Sequence, residues 1–392
     1  MWPLLLSGAL ATLLIWRPTD WELLVVEAGV LASCAVLLLK SPEQQGARSR
    51  AVRHALIAFA ALPCLGVLQS CFSISAMHHP TVRSSLTWLA AACVLRSAYM
   101  MCRDSGIRKR ALSAVAAFGS ALCLVSILQF FTSQGRIFWL WASAEPQVFG
   151  PFHSRNNYAS FALLMFPLLV WQGINRNVNW YYLTAGAFVG ASIVSSGSRA
   201  GAALFALEVV ALCFLMRKTR CGTRVMAPFA VLLGVIIVAA GWSQLSTKLL
   251  DHDPFRYRRE MLVSTLEMWR QKPVLGFGLG TFTAVYPSYA QFDSGHYVNH
   301  AHNDWAEMAA EGGLAGTLFL AVFAGVTGVA ALRNLWGLGV PAVFLHGLVD
   351  FPLQRPGVLF WLLILSGALL AENNVAFVKR RSWWKVTGED IQ

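Results

Sequence analysis

The run His300-Ala301-His302-Asn303 is followed by Glu307 and Glu311 at helical spacing, and then by Gly312, Gly313 and Gly316, where an apolar stretch begins. A neutral imidazole accepts a proton from a hydroxyl near pH 7, so a histidine here reads as a general base. Zinc ligation by the His-x-His pair with a carboxylate competes, but no third ligand stands at clear spacing; plain capping of the apolar stretch is the other alternative. Upstream, Phe255-Arg256-Tyr257-Arg258-Arg259-Glu260 sets three arginines within four positions. Guanidinium groups offer paired planar donors that match phosphate oxygens and stay charged in any surrounding, which points to an anionic ligand. A solvated helix start touching lipid headgroups is the competing reading. Ser195-Ser196-Gly197-Ser198-Arg199-Ala200-Gly201 puts Arg199 between two apolar runs, where an unpaired charge is costly and reads as functional, with snorkelling as the alternative. Gly150-Pro151-Phe152-His153-Ser154-Arg155-Asn156-Asn157 adds Arg155 and Asn156, which line a polar site or cap the next helix. Asp350, near the end of a late apolar run, joins this weaker group. Gly276-x-Gly278-x-Gly280 lacks the GxGxxG spacing, a following lysine and a strand-helix unit, so it reads as a tight turn and not a nucleotide loop.

The elements that must position these groups come from a chain unlike a soluble domain. Of 392 residues, 56% are apolar and 13% charged, where soluble domains carry about 25% charged residues; the mean hydropathy is +0.55. A soluble monomer is excluded. With no soluble domain to carry a basic face, the net charge of +12 does not indicate nucleic acid. Apolar runs bounded by charges or turn residues fall at 3–16, 21–39, 54–72, 84–102, 111–131, 157–172, 180–195, 200–216, 226–242, 314–332, 338–350 and 357–371. They predict an all-α polytopic membrane protein with about 12 transmembrane helices. It is a single transmembrane domain over 1–392, without internal repeat, holding one larger extramembrane loop at 243–304. Within that loop Arg258 to Gln271 reads as a helix ended by Pro273. The cysteines at 34, 64, 71, 93, 102, 123, 213 and 221 form no CxxC pair and read as small apolar residues in spans. No basic leader or cleavage site stands out, so Met1 to Trp16 reads as a retained first span.

Lysine and arginine accumulate in cytoplasmic loops. With the N-terminus inside, those loops hold Lys40, Arg48, Arg50 and Arg53; Arg103, Arg108, Lys109 and Arg110; Arg176; Arg217, Lys218, Arg220 and Arg224; Arg333; and Lys379, Arg380, Arg381 and Lys385. An even number of spans then puts both termini in the cytoplasm. The 243–304 loop lies on the other side yet contains Lys248, Arg256, Arg258, Arg259, Arg270 and Lys272. Long translocated segments escape the charge rule, but these positives ask for a ligand. Every candidate group falls on this non-cytoplasmic face.

On these residues the chain resembles the O-antigen ligase and polymerase superfamily of bacterial polytopic glycosyltransferases. Arg258 with Pro273 and the Gly276/Gly278/Gly280 turn is similar to the family's arginine-to-glycine segment. His302-Asn303 followed by Gly313 and Gly316 is similar to the ligases' histidine signature, and Gly197-Ser198-Arg199-Ala200-Gly201 to the serine-arginine-glycine element. Ala200 stands where many members have glycine, and Leu262 where an aromatic often follows the loop arginine. The resemblance implies a GT-C-like fold in the bacterial inner membrane with its active site facing the periplasm. It implies an O-antigen ligase of lipopolysaccharide biosynthesis: an inverting transferase that moves glycan from an undecaprenyl-diphosphate-linked donor to the lipid A-core acceptor, with no metal or cofactor. His302 is then the base, Arg258 and Arg199 act with it, and Arg259, Arg256, His300, Asn303, Arg155 and Asn156 bind substrate. An O-antigen polymerase is the runner-up. A protein O-oligosaccharyltransferase comes third, since the C-terminus lacks the additional domain expected of many of them. A transporter or flippase of lipid-linked glycan would call for charged or broken helices near mid-membrane and repeat symmetry, whereas the spans are mostly uncharged apart from Glu27 and Glu208.

Overall fold

An apolar chain away from water must satisfy its backbone hydrogen bonds within each segment, which the α-helix does. The computed structural model describes residues 1–14, 16, 21–40, 49–143, 148–175, 178–216, 222–240, 256–291, 295 and 297–389. Arg48, Arg176, Arg217, Lys218, Arg220, Cys221, Lys248 and the 243–255 part of the loop lie outside the described residues. The helices are α1 (Trp2–Leu13), α2 (Trp21–Lys40), α3 (Arg50–Cys71), α4 (His78–Met101), α5 (Ser105–Thr132), α6 (Arg155–Ile174) and α7 (Trp180–Ser195). They continue as α8 (Arg199–Met216), α9 (Gly222–Ala240), α10 (Arg256–Gln271), α11 (Phe282–Val285), α12 (Asp304–Ala331), α13 (Gly339–His346) and α14 (Pro356–Glu389). A two-stranded hairpin, Arg136–Ile137 against Trp141–Ala142, is the one sheet among the described residues.

Among the described residues, each apolar run read from the sequence coincides with one of these helices over most of its length. Among the described residues, seven segments are long and apolar enough to cross a membrane: α2, α3, α5, α6, α8, α12 and the Pro356–Asn374 part of α14. The protein is thus an all-α polytopic membrane protein. Two boundaries differ from the sequence reading. α12 starts at Asp304, well before 314, because Asn303 caps it and the break falls inside, at Gly313. α13 ends at His346, so Asp350 lies beyond a helix and not within the predicted 338–350 span. The described cysteines are all free.

The centre of the bundle is α6 and the first half of α14, which are buried nearly all round, while α2 and α8 expose most of their surface to the lipid side. Polar groups inside such a bundle need partners, and several tie helices together. The Thr12 hydroxyl donates to the Gly357 carbonyl at 2.8 Å and accepts from Trp361 Nε1 at 2.8 Å, joining α1 to α14. Glu27 in α2 is paired with Arg83 of α4 at 2.7 Å, a partner that the sequence reading placed just outside its span. α4 also carries Arg96, so the spans are less free of charge than expected. Because α6 is central, whatever stands on its first turn faces the middle of one end of the bundle. That turn carries Arg155 and Asn156.

Candidate active site

The histidine segment is held by the start of α12. Asn303 is the N-cap: its Oδ1 accepts from Ala306 N at 3.0 Å and its Nδ2 donates to Leu348 O at 2.8 Å, so its side chain serves the backbone. Asp304 N donates to the carbonyls of Gly347 and Asp350 at 2.7 and 3.1 Å, and Asp304 Oδ2 accepts from Leu353 N at 2.9 Å. These bonds lock the 347–353 turn against the helix start. Glu307, one turn on, accepts from Ala301 N at 2.7 Å and pairs with His300 Nδ1 at 2.9 Å. His300 is thereby fixed to Glu307, while His302 turns away to a different carboxylate.

That carboxylate is Asp350, fully buried, whose Oδ1 accepts from His302 Nδ1 at 3.4 Å and from Asn156 Nδ2 at 3.5 Å. His302 sits at φ +50, and its side chain is 34% exposed, so the ring is anchored at one nitrogen and reachable at the other. Burial works to raise the Asp350 pKa, but the hydrogen bond from His302 and the charges of His346, Arg258 and His302 overcome it and hold the carboxyl below its ordinary value. Phe351 organises the surroundings. His300 stacks on its ring at 4.5 Å, His302 meets it edge-on at 4.8 Å, and the Arg355 guanidinium lies 5.0 Å from its centroid.

The arginines arrive on helix starts. Arg155 opens α6, Arg199 opens α8 and Arg258 is in the first turn of α10. α6 and α8 touch closely there: a Cβ at Gly201 would come within 2.7 Å of Ala159 Cβ. Ser198 Oγ caps α8 by accepting from Gly201 N at 3.1 Å. The guanidinium of Arg258 is held below the usual arginine value by burial, opposed by Asp350 and reinforced by Arg155 and Arg199, so all four groups share one electrostatic environment. Positive side chains at helix N-termini run against the helix dipole, and the free N–H groups there favour an anion. Three cations gathered on three such ends therefore make a site for a multiply charged anion. Arg259, the next residue of α10, is exposed. Arg256 belongs to the same helix, and its side chain lies outside the described residues.

The glycine turn positions α10 against α12. Gly313 has φ +62 and breaks α12, freeing backbone groups that the 273–278 turn takes up. Phe277 N and Gly278 N donate to the carbonyls of Ala310 and Glu311, both at 2.9 Å, while Leu314 N donates to Pro273 O at 2.8 Å. A Cβ at Gly276 would meet Glu311 O at 2.3 Å, and one at Gly313 would meet the Val274 carbonyl at 2.3 Å, so neither position has room for a side chain. Glu311 accepts from Gly280 N and Phe282 N at 2.9 and 2.8 Å, and Gln69 reaches in from α3 to Leu275 O, Glu311 O and Leu279 N. Glu311 is therefore a scaffold group.

The structure brings His302, Asp350, Asn156, Arg155, Arg199 and Arg258 together and puts His300 and Asn303 in supporting contacts. Sequence reasoning missed Phe351, Arg355, Gln69 and His346, which shares a 2.7 Å hydrogen bond with Ser160 from inside α13. The run Asp350-Phe351-Pro352-Leu353-Gln354-Arg355-Pro356 carried a signal, an acid and a base between two apolar runs.

A polytopic helical membrane protein with three arginines on helix starts beside a carboxylate-anchored histidine at one end of the bundle is the class these features define. Residues 183–321 match the family model described as O-antigen ligase, which supports membership of the O-antigen ligase superfamily. The matched stretch holds Arg199, Arg258 and His302, while Arg155, Asp350 and Arg355 lie outside it. No curated protein matches the chain.

Proposed function

We propose that the protein is an O-antigen ligase of the bacterial inner membrane, moving glycan from an undecaprenyl-diphosphate carrier to lipid A-core at the periplasmic face. The observation that carries this reading is the convergence of Arg155, Arg199 and Arg258 on three helix starts beside His302 and Asp350. A polyprenyl diphosphate reaches the site from the bilayer. Fixed guanidinium groups stabilise the charge that develops on its leaving oxygen without a metal. Asp350 holds His302 through Nδ1, so Nε2 is the atom that takes the proton from the acceptor hydroxyl. The acceptor oxygen attacks the anomeric carbon as the bond to the diphosphate oxygen breaks. The carrier leaves as the diphosphate anion, the proton stays on His302, and one displacement inverts the anomeric centre. The lysine- and arginine-rich ends of the helices support cytoplasmic termini.

The test is purified protein with carrier-linked glycan and lipid A-core in detergent with chelator, scoring which molecule gains glycan. Transfer to lipid A-core that persists under chelation and disappears in His302→Ala is the expected result. Transfer only onto a second carrier-linked unit would make the protein a polymerase, and loss on chelation would end the metal-free reading.

A further inference from the structure

Arg355 stands immediately before α14, in the turn that follows Asp350 and Phe351. Its guanidinium lies 5.0 Å from the centroid of the Phe351 ring that His300 and His302 also contact. Its Nε is buried without a hydrogen-bond partner, and among the described residues the guanidinium donates to none. A buried N–H left unmatched is costly, so such a group marks a place where an acceptor is missing. The nearby carboxylates do not fill it. Glu307 accepts from His300 and Ala301 N, and Asp350 accepts from His302 and Asn156. Both act on Arg355 only through space. Two carboxylates, Asp350 and Glu307, already offset one positive charge there, so the position does not attract a free anion. What it offers is a planar fork of donors for uncharged oxygens.

We propose that Arg355 binds the acceptor sugar, donating to hydroxyl or ring oxygens adjacent to the hydroxyl that His302 deprotonates. This rests on the transferase reading above and adds a division of labour to it: the arginines on the helix starts hold the donor diphosphate, and Arg355 fixes the acceptor ring around Phe351. A bidentate contact of this kind sets which hydroxyl of the ring reaches His302.

The experiment pairs Arg355→Met and Arg355→Lys with monodeoxy forms of the terminal core sugar. Charge-assisted hydrogen bonds support a change of about 10- to 100-fold. Arg355→Met raises the acceptor KM by that factor and leaves the donor KM unchanged. Arg355→Lys, which keeps the charge beside Asp350 and Glu307, shows a smaller rise and guards against misfolding as the cause. In the wild type one monodeoxy acceptor loses a comparable factor, and in Arg355→Met that same acceptor loses nothing further. Equal losses for every deoxy acceptor in wild type and Arg355→Met would overturn the proposal, as would a shift confined to the donor KM. Titration of core oligosaccharide by intrinsic tryptophan fluorescence, without donor, reads the same contact apart from catalysis. If the wild type binds the oligosaccharide and Arg355→Met binds it more weakly but no transfer occurs, the ligase reading fails and Arg355 stands; if neither variant differs from wild type in binding or KM, the inference about Arg355 fails alone.

Discussion

At the scale of single residues, the site separates groups by what holds them. His302 is held through one nitrogen by a buried carboxylate, so its removal and the removal of its anchor have different signatures. His302→Ala lowers kcat by about 100- to 10,000-fold, the span of a general base, with little change in donor KM. Asp350→Asn keeps the imidazole but weakens its anchor at Nδ1, so kcat falls by less than in His302→Ala; an unchanged kcat would contradict the anchoring role. The carboxyl of Asp350 is depressed in the folded state. Its stabilising contribution is therefore complete above the unfolded value of about 4 and is lost as pH falls through the lower folded value. Wild type should lose more melting temperature than Asp350→Asn between about pH 4 and pH 3 in detergent. Arg258→Lys and Arg199→Lys keep charge but lose the paired donors, so donor KM rises about 10- to 100-fold with the acceptor KM unchanged.

At the scale of elements, the exchange of backbone bonds across Gly313 decides where α10 sits. Gly313→Ala adds a Cβ against the Val274 carbonyl at a backbone conformation that favours glycine. Strain and overpacking together cost roughly 2–5 kcal/mol. Gly325→Ala, further along the same helix with nothing near its Cβ, is the control and should hold or raise the melting temperature. Equal melting temperatures for the two variants would show that the turn does not bear on α12. This element also marks how far the sequence could be read. His302, Asn303 and the glycines after them were visible as a group, and α10 was visible from its composition and from Pro273. The break inside α12 was not, because a glycine within an apolar run looks like any small residue until the 273–278 turn is seen taking its backbone bonds. Asn303 read as a substrate group for the same reason: capping is local, but its second bond runs to Leu348, 45 positions away in sequence. That Arg258 shares its surroundings with Arg155 and Arg199 was not legible either, since those residues stand on α6 and α8, far from it in sequence.

At the scale of the whole molecule, the apolar pattern laid out nearly every helix because a segment in lipid has one way to satisfy its backbone. What it left out was the packing order: nothing in the composition of α6 announces that it is central and α8 peripheral, and that difference is what puts Arg155 and Asn156 at the middle of the site. The same packing fixes a testable polarity. The starts of α4, α6, α8 and α12 and the hairpin between α5 and α6 belong to one end of the bundle, and the α4–α5 turn with Arg103, Arg108, Lys109 and Arg110 belongs to the other. If basic loops face the cytoplasm, a single cysteine at Leu140 in the hairpin, in a cysteine-free background, reacts with a membrane-impermeant maleimide on intact spheroplasts. A cysteine at Arg103 reacts only after the membrane is opened. Labelling of Arg103→Cys alone from outside would reverse the orientation. It would also set the arginine site on the cytoplasmic leaflet, where a periplasmic acceptor could not reach it.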